Sequence, residues 1–93
     1  MKVYKIKHIP TGLFFTPTKG GGNFSHKGKI YTSLPSLKWL DKNVRIKFYI
    51  ENAERQINKT LIEHFSIDLS KYDYIVDLCV KVSLTDWEII EID

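Results

Sequence analysis

Five lysines and three aromatics of the first 31 residues have the types and spacing that could do chemistry: Lys5, Lys7, Lys19, Lys27 and Lys29 interleaved with Phe14, Phe24 and Tyr31. Cations spaced along a surface can track a phosphate backbone, and aromatic rings between them offer stacking platforms for unpaired bases. Lys5 and Lys7 share one face of an alternating stretch. Lys19, Lys27 and Lys29 flank the triplet Gly20-Gly21-Gly22, and either Phe14 or Phe15 must point outward if that segment is extended. These eight residues form the candidate binding face.

The charge arrangement behind that face is lopsided. Residues 1–47 hold ten cations against Asp41 alone, which gives +9; residues 48–93 hold four cations against ten anions, which gives −6. The formal net charge of +3 is the remainder. Such asymmetry fits either a free basic face or a fold that lays the halves together, with Lys5 and Lys7 facing Asp73 and Asp77 across strands. The second arrangement would neutralise the charge internally while stabilising only modestly.

Other chemistry finds no support. In a phosphate-binding loop the lysine follows the glycines and opens a helix; here Lys19 precedes them and Asn23-Phe24-Ser25 follow. His8, His26 and His64 lack metal-ligand spacing and read as surface histidines. The single Cys79, between Leu78 and Val80, reads as a small sheet residue. One cysteine excludes an internal disulfide or a cysteine zinc cluster and suggests a reducing compartment. Asn58-Lys59-Thr60 matches a glycosylation sequon, which matters only in a secreted chain. The expectation is a non-enzymatic protein with no catalytic residues, no cofactor and no metal.

The elements that must position the candidate face follow from periodicity. Ninety-three residues with 43% hydrophobic and 13% aromatic content make one domain, 1–93, able to bury a modest core. Val3 to Ile9 alternates, Pro10-Thr11-Gly12 is turn chemistry, and Leu13 to Thr16 is β-prone, which predicts a hairpin. Pro17 to Gly28 reads as a mobile glycine loop, Lys29 to Thr32 as a third strand, and Ser33 to Leu40 as the entry of a helix with Pro35 in its first turn. Residues 44–50 alternate like a strand, yet Ile46, Ile50, Ala53, Ile57, Leu61 and Phe65 are spaced like one helix face; a helix over 51–65 is predicted, with 44–50 open. Tyr72 to Val82 is the clearest strand, and Trp87 to Ile92 closes the chain as a strand, with a short capped helix from Thr85 as the alternative. The fold expected is α+β: a small antiparallel sheet, from the N-terminal hairpin and the C-terminal strands, packed on one amphipathic helix. Trp39, Phe48, Phe65, Tyr74 and Trp87 are the expected core aromatics. No apolar run is long enough to span a membrane, and the charged, alternating start has no signal-peptide core.

Three blocks carry a resemblance: residues 4–17 (YKIKHIPTGLFFTP), 23–31 (NFSHKGKIY) and 35–40 (PSLKWL), with the ending 86–92 (DWEIIEI). They resemble small uncharacterised proteins of tailed bacteriophages. The resemblance implies a virus-encoded accessory protein in the cytoplasm of an infected bacterium. Its expected role is to bind and modulate a host protein, with nucleic-acid binding by the basic half as the alternative. It supplies no catalytic residues. Val3-Tyr4-Lys5-Ile6 before Gly12 is similar to the opening of GIY-YIG nucleases, but the second signature is missing at Phe14-Phe15-Thr16-Pro17, as is the arginine that should follow.

Overall fold

A computed structural model describes residues 1–19, 21–40 and 43–93, with the backbone alone at Trp39. The strands are β1 (Val3–His8), β2 (Phe14–Thr18), β3 (Gly21–Ser25), β4 (Asn43–Tyr49), β5 (Ile75–Lys81) and β6 (Trp87–Ile92), and one α-helix, α1, spans Gln56–Phe65. The strands form one sheet in the order β5-β4-β3-β2-β1-β6. The fold is α+β as the periodicity predicts. The sheet is mixed, because β3 and β4 run parallel while the other neighbours are antiparallel. A parallel pair needs a crossover, and the long connection between Ser25 and Asn43 provides it.

The N-terminal hairpin forms as expected. Gly12 adopts φ 74°, and the His8 N–H donates to the Leu13 carbonyl at 2.7 Å. β1 and β2 then part after the single register pair Lys7↔Phe14. Tyr31 enters the gap, exchanging both backbone hydrogen bonds with Tyr4 at 2.8 Å. The third strand expected over Lys29–Thr32 is thereby reduced to one bridge.

The expected glycine loop is a strand. Gly21 and Gly22 lie in β3, opposite Thr18 and Pro17; Gly20 lies outside the described residues. The reason is space. A Cβ on Gly22 would stand 2.2 Å from Cε1 of Phe15, whose buried ring lies over the strand there. Glycine serves close approach here rather than mobility.

Residues 43–49 resolve as a strand, with Val44, Ile46 and Phe48 buried and Asn43, Arg45, Lys47 and Tyr49 exposed. The helix therefore starts later than the apolar spacing predicts. Tyr49 is paired with Ile75, and the Ile50 N–H donates to the Tyr74 carbonyl at 2.9 Å, so the sheet holds the chain through residue 50. A 3-10 turn over Ile50–Asn52 redirects it, and the buried Asn58 amide fastens that turn by donating to the Asn52 carbonyl at 2.9 Å. Ser66 ends α1 in the left-handed region at φ 52°. The segment over Ser33–Leu40 contributes only a 3-10 turn, Leu37–Leu40.

Alternation sends Ile6, His8, Phe15, Phe24, Val44, Ile46, Phe48, Val76 and Trp87 to one side of the sheet, where Leu61 and Phe65 of α1 cover them. Phe48, Phe65 and Trp87 join the core as expected; Tyr74 does not, being 68% exposed. The expectation for the Trp39 side chain lies outside the described residues. A flat six-stranded sheet would hold its edges about 24 Å apart. Lys81 and Trp87 end and begin the two edge strands, and the link between them, with its 3-10 turn Leu84–Asp86, reaches only about 16 Å. The sheet therefore coils around its core. No helix among the described residues is long and apolar enough to cross a membrane.

Candidate functional site: the open face of the sheet

The side of the sheet away from α1 carries most of the strands' polar side chains, with Val3, Ile90 and Ile92 on β1 and β6 and Tyr49 and Ile75 on β4 and β5 as apolar neighbours. β1 places Lys5 and Lys7 there, β2 Phe14 and Thr16, β3 Asn23 and Ser25, β4 Asn43, Arg45 and Lys47, β5 Asp77, Cys79 and Lys81, and β6 Glu88. Lys5 Nζ stands 5.1 Å from the centroid of the half-buried Phe14 ring, a cation–π contact. Thr16 and Ser25 join their hydroxyls at 2.7 Å. Arg45 donates to Asp77 through Nε at 2.8 Å and Nη2 at 2.7 Å. That bidentate bond holds the Asp77 carboxyl below the usual carboxylate range and pushes the guanidinium up.

The centre of the face is a seam. β3 and β4 meet at the single pair Gly22↔Val44. Beside it the Asn23 amide, oriented to satisfy both neighbours, donates to the carbonyls of Gly22 and Arg45 at 3.1 Å each. A shallow depression of about 830 Å³ opens along the seam, lined by Lys19, Asn23, Asn43, Arg45, Lys47 and Asp77 among others. Its lining is rich in hydrogen-bond donors.

The structure divides the residues proposed from sequence. Lys5, Lys7 and Phe14 share the open face, and Lys19 stands at its rim. Phe24 is in the core, 8% exposed, against Phe65 and Trp87. Tyr31 packs with Tyr4 toward the core side, its buried hydroxyl without a partner among the described residues and its pKa raised by burial. Lys29 Nζ lies 5.0 Å over the Tyr31 ring, so it belongs to that side, while Lys27 is exposed in the connection after β3. Phe14, Phe24 and Tyr31 therefore make no common exposed patch. Arg45, Lys47, Lys81 and Asn23 were missed; taking 44–50 as a strand would have set Arg45 and Lys47 on a polar strand face like that of Lys5 and Lys7.

The two charged halves meet along β1–β6 and β4–β5, but not in the pairing expected. β1 and β5 are separated by three strands, so Lys5 and Lys7 do not face Asp73 and Asp77. Among the described residues the ion pairs are Lys2–Glu91 at 2.9 Å, Arg45–Asp77 at 2.7 Å and Lys59–Glu54 at 4.0 Å. Lys5, Lys7, Lys47 and Lys81 take part in none of them. The acids Glu51, Glu54, Glu63, Asp68 and Asp73 gather instead in the helical connection between β4 and β5.

His8 is a core residue, contrary to the surface reading. Its side chain is fully buried, ringed by Phe24, His64 and Trp87 at centroid distances of 5.1, 5.2 and 5.1 Å. Nδ1 meets the Thr11 hydroxyl at 2.7 Å. Burial, then the neighbouring His64, lowers its pKa to about 4 against a smaller opposing pull from Asp86. His64 is exposed, and no three His, Cys, Asp or Glu side chains among the described residues are grouped to hold a metal. No protein family, curated protein or solved structure matches the chain.

Proposed function

We propose that the protein is a non-catalytic binding module that holds single-stranded nucleic acid on the open face of its sheet. The observation that carries this reading is the sorting of charge. Lys5, Lys7, Lys47 and Lys81 stand on one face and take part in no ion pair among the described residues, while five of the eleven acids lie in the helical connection. Unpaired cations on a surface attract a polyanion, and the Phe14 ring beside Lys5 offers a base somewhere to stack. Anisotropy of a labelled oligonucleotide across a salt series tests it. The expected affinity falls steeply with salt, and each lysine of this set changed to Gln lowers the log–log slope by about 0.7 if it meets one phosphate. Absence of binding at ~50 mM salt, or a slope indifferent to those lysines, would remove the reading.

A second reading, a phage accessory protein that binds a host protein in the bacterial cytoplasm, is favoured by two exposed aromatics, Tyr49 at 51% and Tyr74 at 68%. Exposed rings of this kind are over-represented at protein interfaces. Nuclease-treated pull-down from host lysate tests it: a stoichiometric protein that survives nuclease and is lost with Tyr74→Ala supports it, and recovery of no such protein counts against it.

A further inference from the structure

The two exposed tyrosines are placed in a way the sheet does not need. Tyr49 ends β4 and Tyr74 precedes β5, and their rings are nearly parallel, 17° apart with centroids at 6.4 Å. Their backbones are fixed by the Tyr49↔Ile75 pairing and by the Ile50 N–H donating to the Tyr74 carbonyl. The backbone that carries the two rings is therefore set before any ligand arrives. Beside them lies a hollow of about 520 Å³, lined by Tyr49, Ile50, Glu51, Asp73 and Tyr74. Both charged groups in that lining are carboxylates.

We infer that this hollow receives an arginine side chain of a partner polypeptide. Aromatic faces are electron-rich and attract cations, and carboxylates beside them add a second attraction of the same sign. A guanidinium satisfies both demands at once, stacking flat on a ring while its N–H groups reach a carboxylate in pairs. The same carboxylates disfavour phosphate, which distinguishes this site from the basic face that it adjoins through Tyr49. The size of the hollow lies within the range of ligand pockets. The chain's own arginines are poor occupants of a second copy's site: Arg45 is already bound to Asp77, and Arg55 is the only other. The inference deepens the protein-partner reading and is independent of nucleic-acid binding.

NMR titration of the whole chain with the peptide acetyl-Gly-Arg-Gly-amide tests it. Saturable shifts are expected at Tyr49, Tyr74, Glu51 and Asp73 by ~10 mM peptide, about ten-fold weaker binding for the citrulline peptide, and similar losses with Tyr74→Ala and with Glu51→Gln plus Asp73→Asn. All three positions are on the surface, and a retained amide spectrum shows that the variants fold. No saturable shift, equal binding of the citrulline peptide, or stronger binding of adenosine monophosphate at the same resonances would overturn it. Oligonucleotide binding by the double-carboxylate variant separates the two sites. Retained binding there alongside lost peptide binding is the expected pattern; loss of both would mean one continuous surface and would also overturn it.

Discussion

The two sides of this sheet are made from the same strands, one residue apart, and they share almost nothing. On the α1 side β1 presents Ile6 and His8, and β4 presents Val44, Ile46 and Phe48, all buried. On the other side the same strands present Lys5, Lys7, Arg45 and Lys47. The difference teaches that net charge and its division between chain halves are poor guides to surface. Alternation decides which cations stand together, and strand order decides whether acids lie near them. Here the acidic second half supplies both edge strands and the helical connection, and among the described strand residues Asp77 and Glu88 are the acids on the cationic side.

The comparison is broken most severely by overfilling the buried side. Gly22→Val drives carbon into the Phe15 ring and should lower unfolding stability in urea by about 3 kcal/mol, with oligonucleotide affinity falling only as the folded fraction falls. Leu61→Ala opens a cavity beneath α1 and should cost about 2–4 kcal/mol by the same measurement.

Acid should act on the buried side as well. His8 has a pKa of about 4 in the folded chain and 6.5 as its ordinary value. Between those values the unfolded chain binds a proton that the folded chain refuses, so stability from this group is complete above about pH 6.5 and is lost as the pH falls toward 4. The loss is up to about 3 kcal/mol. His8→Phe should remove most of it, seen as a flatter dependence of the urea midpoint on pH between those limits. An unchanged dependence would show that His8 does not titrate against a buried site.

The open side should answer in the opposite sense. Lys5→Gln with Lys7→Gln should leave the thermal midpoint nearly unchanged and weaken oligonucleotide binding several-fold at low salt. Asp77→Asn is the smallest change. It frees Arg45 without disturbing the core, so the midpoint should hold while low-salt affinity rises slightly.

Much of the architecture was legible in sequence because alternation is a local signal. The hairpin, the β5 region, the closing strand β6 and the existence of α1 were all readable that way. What failed depended on neighbours. Ile46 and Ile50 fit a helix face, and only the pairing of Tyr49 with Ile75 makes that stretch extended. The glycines looked mobile because nothing local announces that Phe15 will lie across Gly22. His8 looked polar and exposed because its acceptance into the core rests on Thr11, Phe24, His64 and Trp87, which no spacing rule brings together. Of the candidate face, Lys5, Lys7 and Phe14 were found by alternation, while Arg45 and Lys47 awaited the decision on β4.

The register of β1 with β6, from Val3↔Ile92 to His8↔Trp87, joins strands separated by almost the whole chain. On the ribosome β1 emerges long before β6, and the edge that β6 will cover stays open until then. Pairings of such long range are slow to form, and an open strand edge in a crowded cell invites other chains. Lys5 and Lys7 lie on that waiting strand, and charge there repels the edges of other nascent copies. Lys5 and Lys7 thus bear on how the chain folds as well as on the surface it ends with.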